Sequence, residues 1–244
     1  MTHPEATTGF RHFHDQLAQL KQRLLDMSAA AEVLIDTAVE SLLLRDQGKA
    51  ETVIGGDSKV DALEVEIESL AISLLALQQP MARDLRFIIA AIKVSSDLER
   101  VGDHAVNIAQ SALRLVSQNA SLTPMPEIED MARRARQMLG DALDAFVRAD
   151  GSLARDVCRA DDPVDALHNS VFRILLTHMM ADPRTINLSL ELLRVSRNLE
   201  RVADLATNIA EDAVFLAEGK TIKHHFEAKE SKADAPGKGA LFKT

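Results

Sequence analysis

Six oxygen-bearing side chains stand at helical spacing in two places along this 244-residue chain: Glu99, Asp103 and Asn107, then Glu200, Asp204 and Asn208. Steps of four residues stack side chains along one helix face, so each trio forms a short ladder of oxygen donors. A stretch ahead of each trio adds more: Asp57, Asp61 and Glu64 in one case, Asp161, Asp165 and His168 in the other. All-oxygen sets suit hard cations such as Mg²⁺, Mn²⁺ or iron, and an imidazole at His168 tilts the second set towards a transition metal. The candidate ions are Mg, Mn, Fe or Zn.

Like charge is the reason to invoke a cation. On a helix, Asp57, Asp61, Glu64 and Glu68 fall within an arc of about 60°. A like-charge pair four residues apart costs roughly a few tenths of a kcal/mol unless something positive lies near. The competing view is that such stripes are only the wet faces of surface helices. Against it stands a repeat: "LERVGDHAVNIA" at Leu98–Ala109 returns as "LERVADLATNIA" at Leu199–Ala210, 101 residues later. Drift is not expected to keep Glu, Asp and Asn at the same three positions in both copies if they were merely solvated.

The repeat extends to the elements that must carry these residues. Phe13, Leu17, Leu20, Leu24, Met27, Ala31, Leu34, Ala38 and Leu42 recur every three or four residues, which predicts one long amphipathic helix. "RDQGK" at Arg45–Lys49 interrupts it, a short segment follows, and "GGDS" at Gly55–Ser58 supplies turn residues with a capping-box-like start at Ser58 and Asp61. A second helix with Val60, Leu63, Ile67, Leu70, Leu74 and Leu77 as its seam stops at Gln79-Pro80. The third runs from about Arg83 to Gln118, with its acids well over 100° round from its own apolar seam.

The second half answers in kind. After the polar link "SQNASLTPMP", Pro126 opens a helix with Ile128, Met131, Ala135, Met138, Ala142 and Ala145 in register. A loop at Asp150–Gly151 leads to "CRADDPVDALHN", which matches "IGGDSKVDALE" at an offset of 104 residues, and the last helix repeats the third. The connection into that last helix, around "MADPR", is three residues shorter than its counterpart. Leu85, Ile88, Ile89 and Ile92, with Ile186, Leu190 and Leu193, make a second apolar side that must be buried between the halves or against another subunit. The expectation is an all-α fold of two tandem, duplicated three-helix bundles with six main helices, spanning 10–118 and 126–219, followed by a disordered tail at 220–244 in which His224 and His225 are solvated.

Taken together, the duplicated signature and "QQPMARDLR" at Gln78–Arg86, with its Pro80, Asp84, Leu85 and Arg86, closely resemble the PhoU family of bacterial phosphate-signalling regulators. The resemblance covers roughly Phe10 to Gly219. It implies that four acid pairs bind metal: Asp57 with Asp61, Glu99 with Asp103, Asp161 with Asp165, and Glu200 with Asp204. It further implies negative regulation of the phosphate-starvation response and of phosphate uptake. The chain would then be a homodimeric adaptor between the ATPase subunit of the phosphate-specific ABC transporter and a PhoR-type sensor histidine kinase.

Composition removes several other classes. A net charge of −9, with neither Trp nor Tyr, disfavours nucleic acid, which demands clustered cations and aromatic stacking surfaces. No apolar run reaches the roughly 18 residues of a spanning helix, and the first residues lack the apolar core of a secretory signal, so the expectation is a cytoplasmic protein without direct membrane insertion. The single Cys158, matching Ile54, reads as a small buried hydrophobe. There is no Gly-rich phosphate loop, Ser/His/Asp spacing or reactive-cysteine context, so the chain is not expected to be an enzyme. The nearest alternative is a carboxylate-bridged metal-storage or redox bundle, which needs two Glu-x-x-His motifs, and Asp165 with His168 is the sole approximation to one. Arg100 and Arg201 are expected to pair with neighbouring acids, and His104, whose counterpart is Leu205, cannot serve a role common to both halves.

Overall fold

The computed structural model of the chain describes residues 4–78, 80–117 and 125–222; the expected link at 118–124 and the tail from 223, with His224 and His225, lie outside them. Among the described residues every regular element is helical. The six long helices are α1 (Pro4–Leu44), α3 (Ser58–Gln78), α4 (Ala82–Ser117), α5 (Pro126–Arg148), α7 (Asp161–Ala181) and α8 (Ile186–Glu218). Two short helices are added where the sequence suggested only a short segment and a loop, α2 (Gln47–Gly56) and α6 (Gly151–Arg159).

The same device makes both short helices. Arg45 and Ala149 take left-handed backbone conformations (φ 54° and 53°) that end α1 and α5. Asp46 and Asp150 then cap the next helix, accepting from the N–H of Lys49 (3.0 Å) and from those of Ser152 (2.9 Å) and Leu153 (3.1 Å). Non-glycine residues pay about 1–2 kcal/mol for that conformation, which the caps offset. No glycine marks the stop, so the sequence signal was faint.

Three details differ from the sequence expectation. Ser58 is the first residue of α3 and not its cap, because Gly55 and Gly56 stay helical and the Asp57 carbonyl accepts from the N–H groups of Val60 (2.8 Å) and Asp61 (3.2 Å). The α3 seam turns through Ala71, leaving Leu70 half-buried and Leu77 72% exposed. Cys158 is half-buried against the core; burial raises its thiol to about 11, assisted by Glu211 and Asp161.

α4 and α8 lie side by side and antiparallel through the middle, with α1, α2 and α3 packed on α4 and α5, α6 and α7 packed on α8. Their antiparallel register is written in cross-pairs: Lys93 Nζ to Asp212 Oδ1 (3.3 Å), His104 Nδ1 to Asn198 Oδ1 (2.8 Å) and Arg114 Nε to Glu191 Oε2 (2.9 Å). Buried residues of both halves form one contiguous cluster, and Ile222 packs against it beyond the end of α8. Ile88 of the second apolar side is fully buried, whereas Ile89, Ile186 and Leu190 keep exposed surface.

Glu191 is only 6% exposed and takes a second cation, Arg194 Nη1, at 2.7 Å. Removing one partner of a buried charge leaves the other under-compensated, whereas an apolar residue in place of that charge is tolerated. Arg114→Ala should therefore lower unfolding free energy in urea by about 1–3 kcal/mol, while Glu191→Leu should cost less or stabilise. Equal losses in the two variants would show that the pair is not what joins the helices there.

Candidate metal centre

The acidic ladders face partner helices within each half. From α3 and the residue before it come Asp57, Asp61 and Glu64, and from α4 come Glu99 and Asp103. Burial raises the pKa of Glu99, and the charges of Asp103, Glu64, Asp61 and Asp57 raise it further. Asp57 is raised by burial and then by Asp61 and Asp103. Glu64 is raised by burial and by Glu68 and Asp61, against a hydrogen bond from Ser96. These acids therefore feel one another across the α3–α4 pair, the meeting the sequence expected. Asn107 is exposed one turn beyond Asp103 and takes no part in that coupling.

One residue the sequence reasoning passed over makes the approach possible. Gly102 is buried in α4, and a Cβ there would lie 2.7 Å from Asp57 Oδ1. That oxygen is itself buried with no hydrogen-bond partner. An unmatched glycine inside a helical signature was the available signal, because mid-helix glycine costs roughly 1 kcal/mol against alanine unless something needs the room.

The second half builds the equivalent cluster between α7 and α8. Asp161 is pushed up to about 6, by burial first and then by Asp165, Asp204, Glu200 and Asp162. Its Oδ1 is also buried without a partner. Glu200 is raised by burial and Asp204, with Arg201 and His168 acting in the opposite direction. Arg201 reaches into this set, Nη1 to Asp204 Oδ2 at 2.7 Å and Nε to Glu200 Oε2 at 3.4 Å. Its counterpart Arg100 turns away to Asp97 at 3.6 Å. Both arginines thus have the ion-pair role the sequence suggested, but only one lies among the candidate ligands. Asn208 sits half-buried one turn further along α8.

His168 is oriented from behind. Its Nδ1 lies 2.7 Å from Ser196 Oγ, and that hydroxyl donates to Met131 Sδ at 3.5 Å. The Nδ1–Oγ contact fixes the ring's orientation through one nitrogen and leaves the other, Nε2, as the one that could ligate a metal. Ser196 and Met131 were missed because both sit in apolar seams and read as packing.

The residues fit a hard cation in kind: carboxylates with raised pKa values, and one orphaned buried oxygen in each half. As they stand, among the described residues, no three His, Cys, Asp or Glu side chains are gathered so as to hold a metal ion. Binding would require side-chain rotation, which the exposed Asp61, Asp103 and Asp165 are free to make.

Comparison with known proteins places the chain. A family profile described as the PhoU domain matches twice, over 24–112 and 128–213. The "Phosphate-specific transport system accessory protein PhoU homolog" of Caulobacter vibrioides is 41% identical over 212 residues, 87% of this chain and 92% of that protein. Its counterpart in Aquifex aeolicus is 40% identical over 215 residues, covering 88% and 97%. The crystal structure of PhoU from Pseudomonas aeruginosa superposes with a TM-score of 0.83 at 36% identity, covering 85% of this chain and all of that one. The phosphate transport system regulatory protein PhoU of Streptococcus pneumoniae gives 0.78 at 30% identity, covering 86% and 98%.

The sign of the pH dependence follows from the raised carboxylates. Between the ordinary value of 3.8 and about 6, the folded chain holds a proton on Asp161 that the unfolded chain has released. Stability from this group is therefore full below the lower value and is lost as pH rises through the upper one. In metal-free protein, Asp161→Asn should remove part of that decline and raise stability at pH 7 by on the order of 1 kcal/mol. Urea titrations at pH 4.5 and 7 check this; an unchanged difference between the two would clear Asp161 of the strain assigned to it.

Proposed function

This chain belongs to the PhoU family, and from that premise we propose that it is a negative regulator of phosphate uptake and of the phosphate-starvation response. The family is one of regulatory accessory proteins and not of enzymes. We propose that it acts by contact, as a cytoplasmic homodimer, on the ATPase subunit of the phosphate-specific ABC transporter and on a PhoR-type sensor histidine kinase. Two features of the chain suit that role: no described helix is long and apolar enough to cross a membrane, and its chemistry is concentrated in two oxygen-donor clusters.

The observation that carries the metal-binding part is the duplicated orphan, Asp57 Oδ1 and Asp161 Oδ1, each buried among like charges. Asp57, Asp61, Glu64, Glu99 and Asp103, with Asn107 at the margin, would hold the first ion, and Asp161, Asp165, His168, Glu200 and Asp204, with Asn208, the second. A bound Mg, Mn, Fe or Zn ion supplies positive charge to carboxylates that otherwise repel. Within the chain, Asp57 and Asp161 sit at the start of one helix while Glu99 and Glu200 sit on the next, so ligation draws neighbouring helices together. Arg201 must give up Asp204 for the second site to fill, so Arg201 and a cation compete there.

Two experiments test this. Glu99→Ala with Asp103→Ala should remove bound metal from one half, and Glu200→Ala with Asp204→Ala from the other, each lowering the stoichiometry in equilibrium dialysis by about half. Unchanged stoichiometry in both double variants overturns the ligand assignment. Deleting the gene should leave a phosphate-regulated reporter switched on in rich phosphate, and a chain carrying all four alanines should restore repression only in part. Normal repression in the deletion strain would falsify the regulatory reading whatever the metal does.

A further inference from the structure

Where α4 begins and α8 ends, the two halves meet around a cavity whose walls come from both. It has about 330 Å³ of room and lies between α1 and α4 of the first half and α5 and α8 of the second. Leu24, Phe87, Leu143, Phe146 and Leu216 form its floor, all of them buried, with the two phenylalanine ring centroids 6.0 Å apart. Its mouth carries the exposed Lys21, Leu25, Arg83 and Val147, with Asp84 half-buried beside them. An apolar floor under a few charged groups is the form of a site for a small amphipathic molecule.

Cations dominate that mouth, and no acid neutralises them. Lys21 Nζ stands 5.3 Å from the centroid of the Phe87 ring, which holds an ammonium group over the floor. Among the described residues neither Lys21 nor Arg83 forms an ion pair. Asp84 lies in the first turn of α4, where a carboxylate complements the helix N-terminus, and is paired with neither. Arg86, one turn further along α4, adds a third cation: it lies against Gly219 at the end of α8, and its Nε is buried without a hydrogen-bond partner. Glu218, the last residue of α8, is already held by Arg155 through two nitrogens, at 2.6 and 3.0 Å. The other half shows what is missing here. Arg184, the counterpart of Arg83 at the offset of 101 residues, is held by Asp182, Nη2 to Oδ2 at 2.8 Å and Nε to Oδ1 at 3.0 Å. Met81 stands in the place of Asp182, so Arg83 has no such counter-ion. Lys21 answers to Met125, Phe87 to Leu188 and Phe146 to Leu42, so the ammonium and both rings are peculiar to this end.

We infer that this cavity binds a small amphipathic carboxylate, its apolar body on Phe87 and Phe146 and its head group between Lys21 and Arg83. Two unpaired cations against one acid set the sign of that head group, since a cationic amphiphile would meet like charge at the mouth. An apolar cavity of about 150 Å³ takes one benzene, so this one has room for roughly twice as much, on the order of ten to twelve non-hydrogen atoms. That is the size of octanoate or decanoate. A ligand seated there touches helices of both halves at once.

Calorimetric titration of the full chain with decanoate, kept below its micelle-forming concentration, tests this. One site per chain is expected, with decylammonium and decanol binding at least tenfold more weakly and inorganic phosphate not at all. Lys21→Gln with Arg83→Gln, both at exposed positions where the fold is kept, should weaken decanoate at least tenfold. Leu25→Trp, which narrows the mouth, should weaken it several-fold, and Arg184→Gln in the other half should change it less than twofold. Absence of saturable binding to the wild type overturns the site, and decanol binding as tightly as decanoate overturns the anionic head group. Undiminished affinity in the Lys21→Gln, Arg83→Gln variant does the same, and an equal loss in Arg184→Gln puts the ligand elsewhere. Capture by phosphatidylglycerol vesicles that decanoate does not displace makes this cationic end a membrane-contact surface, and the small-ligand assignment is then wrong.

Discussion

A helix packed on three sides has one face left for charge, and α4 and α8 are each packed on three. Their apolar seams are buried, and on another face Lys93, His104 and Arg114 of α4 meet Asp212, Asn198 and Glu191 of α8. Ala91, Ala105, Ala109 and Ala112 on α4, and Ala203, Ala206, Ala210 and Ala213 on α8, are all essentially inaccessible. The buried charges where the two central helices meet, Glu191 and Asp212, are held by cations from the opposite helix. What remains on each central helix is the Glu-x-x-x-Asp ladder, and only one neighbour, α3 or α7, is left to face it. The acidic clusters are thus placed by the core.

That dependence explains what could be read from sequence. Periodicity located every long helix, because a three-sided helix has no tolerance for polar residues off its free face. It could not locate α2 and α6, whose boundaries are set by Arg45 and Ala149 in a conformation that neither residue type announces. The candidate ligands were legible because duplication wrote them twice. The residues behind them were not: Gly102 acts by lacking a side chain, and Ser196 by holding the His168 ring from a seam that reads as packing. The seam expected through Leu77 failed because periodicity says which face of a helix turns inward but not how far along it burial continues, and here it stops after Leu74.

Where the copies differ, the difference is local and compensated. Glu64 becomes His168, and the serine that steadies it shifts from Ser96, whose own counterpart is Arg197, to the buried Ser196. Gly102 becomes Ala203, and in the second cluster Asp161, half-buried like Asp57, is pushed up to about 6. Arg201 supplies a resident counter-ion there, whereas in the first half Arg100 is drawn off by Asp97, whose counterpart Asn198 carries no charge to compete. The first cluster therefore has no cation of its own among the described side chains. It is the half in which an added positive charge has most repulsion to relieve.

In the same half, Leu34 of α1 packs beside both the acidic cluster and the end of α2. One of its methyls borders Gly102 and Asp57; the other lies 3.1 Å from where a Cβ on Gly56 would stand, at the end of α2. Asp57 itself is the hinge residue between α2 and α3, its carbonyl closing the first turn of α3. Close-packed interiors transmit displacement because they have no slack to absorb it. Asp57 belongs to that junction through its carbonyl and to the acidic cluster through its carboxylate. The charge of the acidic cluster and the packing of α2 against α3 therefore meet in one residue, and Leu34 fills the space beside both Gly56 and Gly102.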